Sequence, residues 1–372
     1  MNSTLRNGAD HARSGYLMAK HIEIRNFRGF KNADVPDCRL INIVVGENGS
    51  GKTAFLEALF MVAGNSAELA LRTRQWRGFE GVNLSGTRSQ VARDLWADLF
   101  YEFSESAKAS VKLLGTDAHK RSLEILFGSF PPRGNAGTAK AQMRGPDVLD
   151  IDLGVRFEWR GPSNRNHSSS VSLEDGKLKI SIPSAAPVES AFFAANQMYS
   201  SAEAASRFSA LSKTFAIDEV VKDFREHFPV VRGLSLEMAG GAPMIFAEVE
   251  GRNQKVPLNF LSGGMTKLSS ILFAIPAFKG GIIMIDEIEN GFYYRRFPLI
   301  WASILKFCKQ YDVQIFASTH SLECLSAAAD VAREHASDFS LIRSSYSDGL
   351  CALKQFSGEE FVAAADAEVE IR

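Results

Sequence analysis

Apolar and polar positions alternate along His21-Ile22-Glu23-Ile24-Arg25-Asn26-Phe27, the period-2 pattern of a strand with one covered face. A turn at Gly29 leads to a second short strand over 32–35. Leu40-Ile41-Asn42-Ile43-Val44-Val45 is then almost continuously apolar and stops at Gly46, as expected of a central strand buried on both faces. Residues 53–63 predict a helix, with Phe55, Leu56, Leu59 and Phe60 along one face and Gly64 to end it.

The texture changes between 68 and 187. A strand is expected at 96–103, then a hairpin of 109–114 with 122–127 joined across Gly115-Thr116-Asp117. Segments 131–145 and 161–170, rich in Gly, Ser, Asn or Pro, read as loops. With no heptads and no internal repeat, 68–187 reads as an inserted β-rich lobe. A strand over 189–197, helices up to about 227 and a strand at 242–249 follow. The tail closes with a hairpin around Ser347-Asp348-Gly349 and a helix at 359–367.

The expected fold is α/β, a mixed sheet flanked by helices, with the β-rich lobe inserted in it. Its parts are a leader (1–17), an N-terminal section (18–67), the lobe (68–187) and a C-terminal section (188–372). Met18 is an alternative start, since ordered patterning begins at His21.

Composition changes this picture little. Among 372 residues, 45% are apolar and 23% charged, the mix of an ordinary globular protein. Forty-two basic residues against 43 acidic ones leave a net charge of −1, so no global basic field draws nucleic acid. Cys38, Cys308, Cys324 and Cys351 lie far apart, without metal-ligand spacing, and read as buried reduced thiols. No apolar run approaches the roughly 18 residues of a membrane span, and the first 17 residues lack a secretory h-region. A cytoplasmic location without membrane contact is expected.

Four segments carry chemistry. Gly46-Glu47-Asn48-Gly49-Ser50-Gly51-Lys52-Thr53 fits the phosphate-binding loop G-x-x-x-x-G-K-[ST], set between a buried strand and a helix. Glycines let successive N–H groups converge on phosphates at a helix N-terminus; Lys52 reaches the β- and γ-phosphates and the Thr53 hydroxyl reaches Mg2+. Gly281-Ile282-Ile283-Met284-Ile285-Asp286-Glu287 is an apolar strand ending in two acids, at the end of an α/β sheet where ligands bind. Asp286 is expected to orient Mg2+ and Glu287 to act as the base for attacking water. Glu289 is expected to face solvent or an interface. Leu261-Ser262-Gly263-Gly264-Met265 precedes a helix over 266–275 that Pro276 ends or kinks; Ser262 caps it and leaves N–H groups for an anion. His320 ends the strand 314–321, placed to sense the γ-phosphate.

The order of these motifs along the chain, phosphate loop, L-S-G-G, acid pair and Thr319-His320, resembles that of the ABC-type ATPases, in the branch shared by SMC proteins, RecF and OLD-family ATPases. Ile24-Arg25-Asn26-Phe27-Arg28-Gly29-Phe30 is similar to the opening of that branch. Asp286-Glu287-Ile288-Glu289-Asn290-Gly291 and the ending Glu368-Val369-Glu370-Ile371-Arg372 look like OLD-like AAA-type ATPases. The resemblance implies ATP and Mg2+ as cofactors and a head-to-tail homodimer in which Ser262, Gly263 and Gly264 meet the nucleotide held by the other subunit. It implies Arg28 near the nucleotide and a metal-touching glutamine at a strand end, Gln197, with Gln75 as the alternative. The absence of heptads between Thr53 and Leu261 departs from SMC proteins and excludes a long-armed clamp. The short stretch after His320 leaves no room for the TOPRIM domain of OLD nucleases.

The resulting expectation is an ATP-hydrolysing dimeric switch controlling a separate effector, such as a TOPRIM-like or other nuclease in phage defence. The alternative is a RecF-like repair ATPase with DNA as partner, gripped through Arg72, Arg74, Arg77, Arg88 and Arg93. A transporter subunit is disfavoured by the E-N-G after the acid pair and by the lobe.

Overall fold

The structure is a computed structural model that describes residues 18–79, 87–104, 106–115, 120–130, 153–161, 166–174, 177–181, 187–195 and 201–367. The expected leader, the loop 131–145, the closing 368–372 and Gln197 lie outside the described residues.

Strand β1 (Ala19–Phe27) pairs with β2 (Phe30–Val35) and, on its other edge, with β4 (Ala109–Gly115). β5 (Lys120–Ser129), β6 (Leu153–Arg160), β7 (Asn166–Glu174) and β8 (Lys177–Ile180) extend the pairing into a seven-stranded antiparallel sheet, β2-β1-β4-β5-β6-β7-β8. The β-rich segment is therefore not a body apart, because the boundary drawn at 68 cuts through one sheet that begins at β1. The hairpin of β4 and β5 has the expected pairing, Ala109 opposite Ile125.

A second, six-stranded sheet runs β16-β15-β3-β14-β13-β9. β3 (Ile41–Val45), β14 (Gln314–Ser318), β13 (Ile282–Ile285), β9 (Ser190–Phe193) and β15 (Phe339–Ser347) are parallel, and β16 (Leu350–Ser357) returns antiparallel along one edge. Side chains alternate across a strand, so each apolar run feeds two cores. Ile282 and Met284 pack toward the antiparallel sheet, while Ile283 and Ile285 pack toward the helices of the opposite face. This double burial is why β3 and β13 show no polar alternation.

Helix α1 (Lys52–Ala63) lies between the two sheets with every residue but Thr53 buried. The single apolar face read from sequence is too narrow, since a helix apolar all round is one covered all round. On the outer face, α6 (Gly263–Ala277) packs on α4 (Ser201–Ser212), α5 (Ala216–His227) and α7 (Phe297–Tyr311), and α7 on α8 (Leu322–Ala332). The hairpin of β10 (Val231–Ala239) and β11 (Ala242–Val249) makes a small separate sheet with β12 (Val256–Pro257), and α9 (Gly358–Asp366) closes the described chain.

Two expectations in the β-rich segment fail. The strand expected at 96–103 is instead the end of α3 (Arg88–Trp96) followed by two 3-10 turns, 97–99 and 101–103. Thr87 starts α3 with a capping box to Gln90, and Val91, Ala92, Leu95, Trp96, Leu99 and Phe100 are buried at helical spacing. Residues 166–170, expected in a loop, form the start of β7, where His167 stacks on Trp159 of β6 at 5.0 Å. Cross-strand packing overrides the low β-propensity of a serine run.

Candidate functional site

β3 ends at Gly46, and the loop to α1 turns beneath β15. Gly46 takes φ +142, and a Cβ there would run into the Ser344 carbonyl; Gly51, the N-cap of α1, takes φ +104 with Phe30 and Cys351 Sγ packed against it. Neither position admits a side chain. The loop borders a cavity of about 620 Å³. Asn48, Gly49, Gly51, Lys52 and Thr53 line one wall, and Asp286 and Glu287 approach from the end of β13. Arg28, Tyr101, Glu102, Phe103 and Tyr346 line the remainder.

Lys52 Nζ donates to the carbonyls of Gly46 (2.6 Å) and Glu47 (2.9 Å), which holds the ammonium over the loop. Burial lowers its pKa, opposed by the charges of Asp286, Glu287 and Glu289. Thr53 Oγ1 donates to Asp286 Oδ2 at 2.9 Å, and Ser318 Oγ donates to Asp286 Oδ1 at 2.5 Å. Burial pushes the Asp286 carboxyl up while these two hydroxyls pull it down. Hydroxyl and carboxylate oxygens are the hard donors that Mg2+ takes. Two buried donors, Arg28 Nη2 of the cavity wall and Ser50 Oγ within the loop behind it, have no hydrogen-bond partner among the described residues. Unpaired buried donors beside a lysine and a glycine loop fit a polyanion.

Glu287 has a left-handed backbone, φ +47, a conformation costing about 1–2 kcal/mol in a residue with a Cβ. Its N–H donates to Ser318 Oγ (2.8 Å), its carbonyl accepts from Lys267 Nζ (2.7 Å), and its Oε2 accepts from Asn290 Nδ2 (2.6 Å). Burial pushes the Lys267 ammonium down to about 8.

Glu289 does not face solvent. It is buried, and its Oε1 accepts from the His320 N–H at 2.9 Å and lies 3.0 Å from His320 Nδ1. The left-handed turn at Glu287 swings the chain so that Glu289 points back toward β14. His320 itself is half-exposed at the end of β14, outside the cavity lining.

Ser262 caps α6 by accepting from the Met265 N–H at 3.2 Å, as expected, and Pro276 falls in that helix's last turn. Ser262, Gly263 and Gly264 do not line this chain's cavity; Gly264 packs so closely on the Gly291 carbonyl that a Cβ would collide with it. Gln75 lies exposed on α2 (Glu68–Trp76), not at a strand end.

Behind the loop, Glu57 of α1 is 1% exposed and lies between two arginines. Arg77 grips both oxygens at 2.8 and 2.9 Å, and Arg28 Nε is 2.8 Å from Oε2. Arg28 Nη1 and Arg74 Nη2 also reach Asp98, at 2.9 and 3.0 Å. Of the five arginines considered for a DNA groove, Arg74 is buried in the fold and Arg77, 39% exposed, is engaged by Glu57. Sequence reasoning missed Glu57, Asp98, Lys267 and Ser318. Glu57 amid the apolar run 54–63 of α1 and Lys267, the single charged residue of α6, are the available signal.

Residues 41–326 match the protein family described as "AAA domain, putative AbiEii toxin, Type IV TA system". A protein of Helicobacter pylori described as "ATP/GTP phosphatase" is 23% identical over 342 residues, covering 85% of this chain and 89% of that protein. The "DNA replication and repair protein RecF" of Lactobacillus acidophilus is 37% identical over 79 residues, 20% of this chain and 21% of RecF. Among solved structures, an Smc head domain bound to the C-terminal domain of ScpA, from Pyrococcus furiosus, aligns over 94% of this chain and 99% of that one. Its identity is 15% and its TM-score 0.49.

Proposed function

This chain belongs to the AAA-domain family that it matches over 41–326, and we propose that it is an ABC-type P-loop ATPase of the RecF and SMC branch that works as a dimeric switch. Two copies sandwich two ATP molecules head to tail, and hydrolysis resets the dimer. The observation that carries this reading is the division of the motifs. Lys52, Thr53, Asp286 and Glu287 share one cavity, while Ser262 and the α6 N-terminus of the same chain lie off it. A helix N-terminus suited to an anion but remote from the phosphate loop of its own chain is accounted for by a phosphate held in another.

Within each site, the loop N–H groups and Lys52 hold the β- and γ-phosphates, and Arg28 Nη2 supplies a further donor. Thr53 and Asp286 would hold Mg2+, which neutralises phosphate charge when bound. Ser318 fixes the Asp286 carboxylate through one oxygen and leaves the other toward Thr53. Glu287 takes the proton of the attacking water, with Asn290 orienting its carboxylate. His320, braced by Glu289 outside the cavity, meets the γ-phosphate in this reading only once the partner closes the site.

The opening and closing of the dimer would control a separate effector, and the toxin–antitoxin wording of the family description supports that setting over repair. A nuclease in phage defence is the effector class proposed. The H. pylori relative's description supports turnover of nucleoside triphosphates.

The test combines E287Q with size-exclusion light scattering. With ATP and Mg2+, E287Q should hold ATP and run as a dimer, K52A should bind no ATP, and K52A/E287Q should stay monomeric. Wild-type turnover by E287Q would refute the catalytic assignment, and an ATP-loaded monomer would refute the head-to-tail reading.

A further inference from the structure

Lys267 sits on α6 about one and a half turns beyond the Ser262 cap and is 4% exposed. A buried ammonium requires compensation. Here the charges of Glu289, Glu287 and Asp286 act on it, the Phe292 ring lies 5.8 Å from Nζ, and its hydrogen bond goes to one backbone atom, the Glu287 carbonyl, at 2.7 Å.

That carbonyl belongs to a residue held in an uncommon conformation. A left-handed backbone at a residue with a Cβ persists only where the surroundings over-determine it. Ser318 fixes the peptide groups around Glu287, through Oγ to the Glu287 N–H and through its carbonyl to the Ile288 N–H (3.0 Å). Both of those contacts come from β14, in the same sheet as β13. The lysine's contact comes from α6, the element whose N-terminal turn, just ahead of Lys267, carries the signature. A counter-charge for three acids could have been placed on any oxygen of the cluster. A 2.7 Å bond to the main chain of Glu287 fixes direction as well as charge.

We propose that Lys267 is a positioning residue that sets the aim of the Glu287 carboxylate and ties it to the signature helix. The inference rests on the reading of Glu287 as base and of α6 as the receiver of the partner's γ-phosphate. A shift of α6 when its N-terminus meets that phosphate is passed, through Lys267, to the peptide that orients Glu287 in the same chain. Nucleotide bound in one site thereby tunes the base of the other. No bond is made or broken at Lys267.

The test is K267M, which keeps the aliphatic stem and removes the donor, measured for kcat, ATP affinity and ATP-dependent dimerisation. The expected result is kcat about 10- to 100-fold lower with ATP affinity within about threefold of wild type. The dimer trapped by E287Q should still form when K267M is added, and K267M should lower the residual kcat of E287Q by less than about threefold, because both act on one group. A kcat near wild type overturns the proposal. So does a K267M loss that multiplies fully with that of E287Q, or one matched by an equal loss of affinity. Should K267M fail to fold, K267R is read the same way: at least about tenfold lower kcat at unchanged affinity supports positioning, and wild-type kcat overturns it. Wild-type turnover in E287Q alone would instead sink the assignment of the base, whatever Lys267 does.

Discussion

Replacing Glu57 by alanine removes the only carboxylate set into α1 and leaves two arginines facing a hole. The structure allows the cost to be apportioned. Glu57 is 1% exposed and Arg28 8%, whereas Arg77 is 39% exposed. An exposed partner regains water, so the Arg77 contact contributes about 0–1 kcal/mol. Breaking a buried pair costs about 3–5 kcal/mol, mainly through the stranded charge. Arg28 keeps Asp98 at 2.9 Å, and Asp98 is 30% exposed, which places the loss at the low end, about 3 kcal/mol. At about 2.1 cal/mol/K per residue, 372 residues give an unfolding entropy near 0.8 kcal/mol/K. The melting temperature of E57A should then fall by about 4 °C if the chain unfolds as one unit. E57Q, which keeps the shape and loses the charge, should fall less. Differential scanning calorimetry without nucleotide checks both. R28M/E57A should cost little more than E57A alone, because the stranded charge is gone. A drop under 1 °C in E57A, or full additivity in the double variant, would refute the reasoning.

S318A removes a hydroxyl that serves Asp286 and Glu287 together; turnover should drop about 10- to 100-fold and the Mg2+ concentration needed for half-maximal ATPase should rise, with an unchanged Mg2+ requirement as the contrary result. Burial pushes the thiols of Cys38 and Cys308 up, and that of Cys324 to about 12. With folded pKa values above the unfolded ones, their contribution is whole below about pH 8.5 and is lost as pH rises toward the folded values, by about 1.4 kcal/mol per thiol per unit. Urea midpoints should fall more steeply between pH 9 and 10 in wild type than in C308A, and equal slopes would contradict this.

The elements legible in the sequence are those whose pattern is local. β3, β13 and β14 announce themselves as apolar runs because both faces are covered, and the loop from Gly46 to Thr53 because its glycines and lysine are contiguous. What was illegible depends on partners remote in the chain. Glu289 reads as a surface acid until the turn at Glu287 delivers it to His320, and the segment 96–103 reads as a strand until its buried residues prove to keep helical spacing. Lys267 looks like one more helix lysine; its meaning lies in a carbonyl twenty residues on. Of the four cysteines, the expectation of burial and free thiols holds.

The wrapping of α1 by two sheets has a mechanical consequence. A close-packed interior transmits load with little give, so a helix gripped all round, with Thr53 as its one partly open position, is the stator of this molecule. Freer surroundings are found at Gly263, which has open space around it, and in the 101–103 turn, where Phe103 stands in solvent. In the proposed switch, the phosphate loop is the bearing against which a movement of those freer parts would be made.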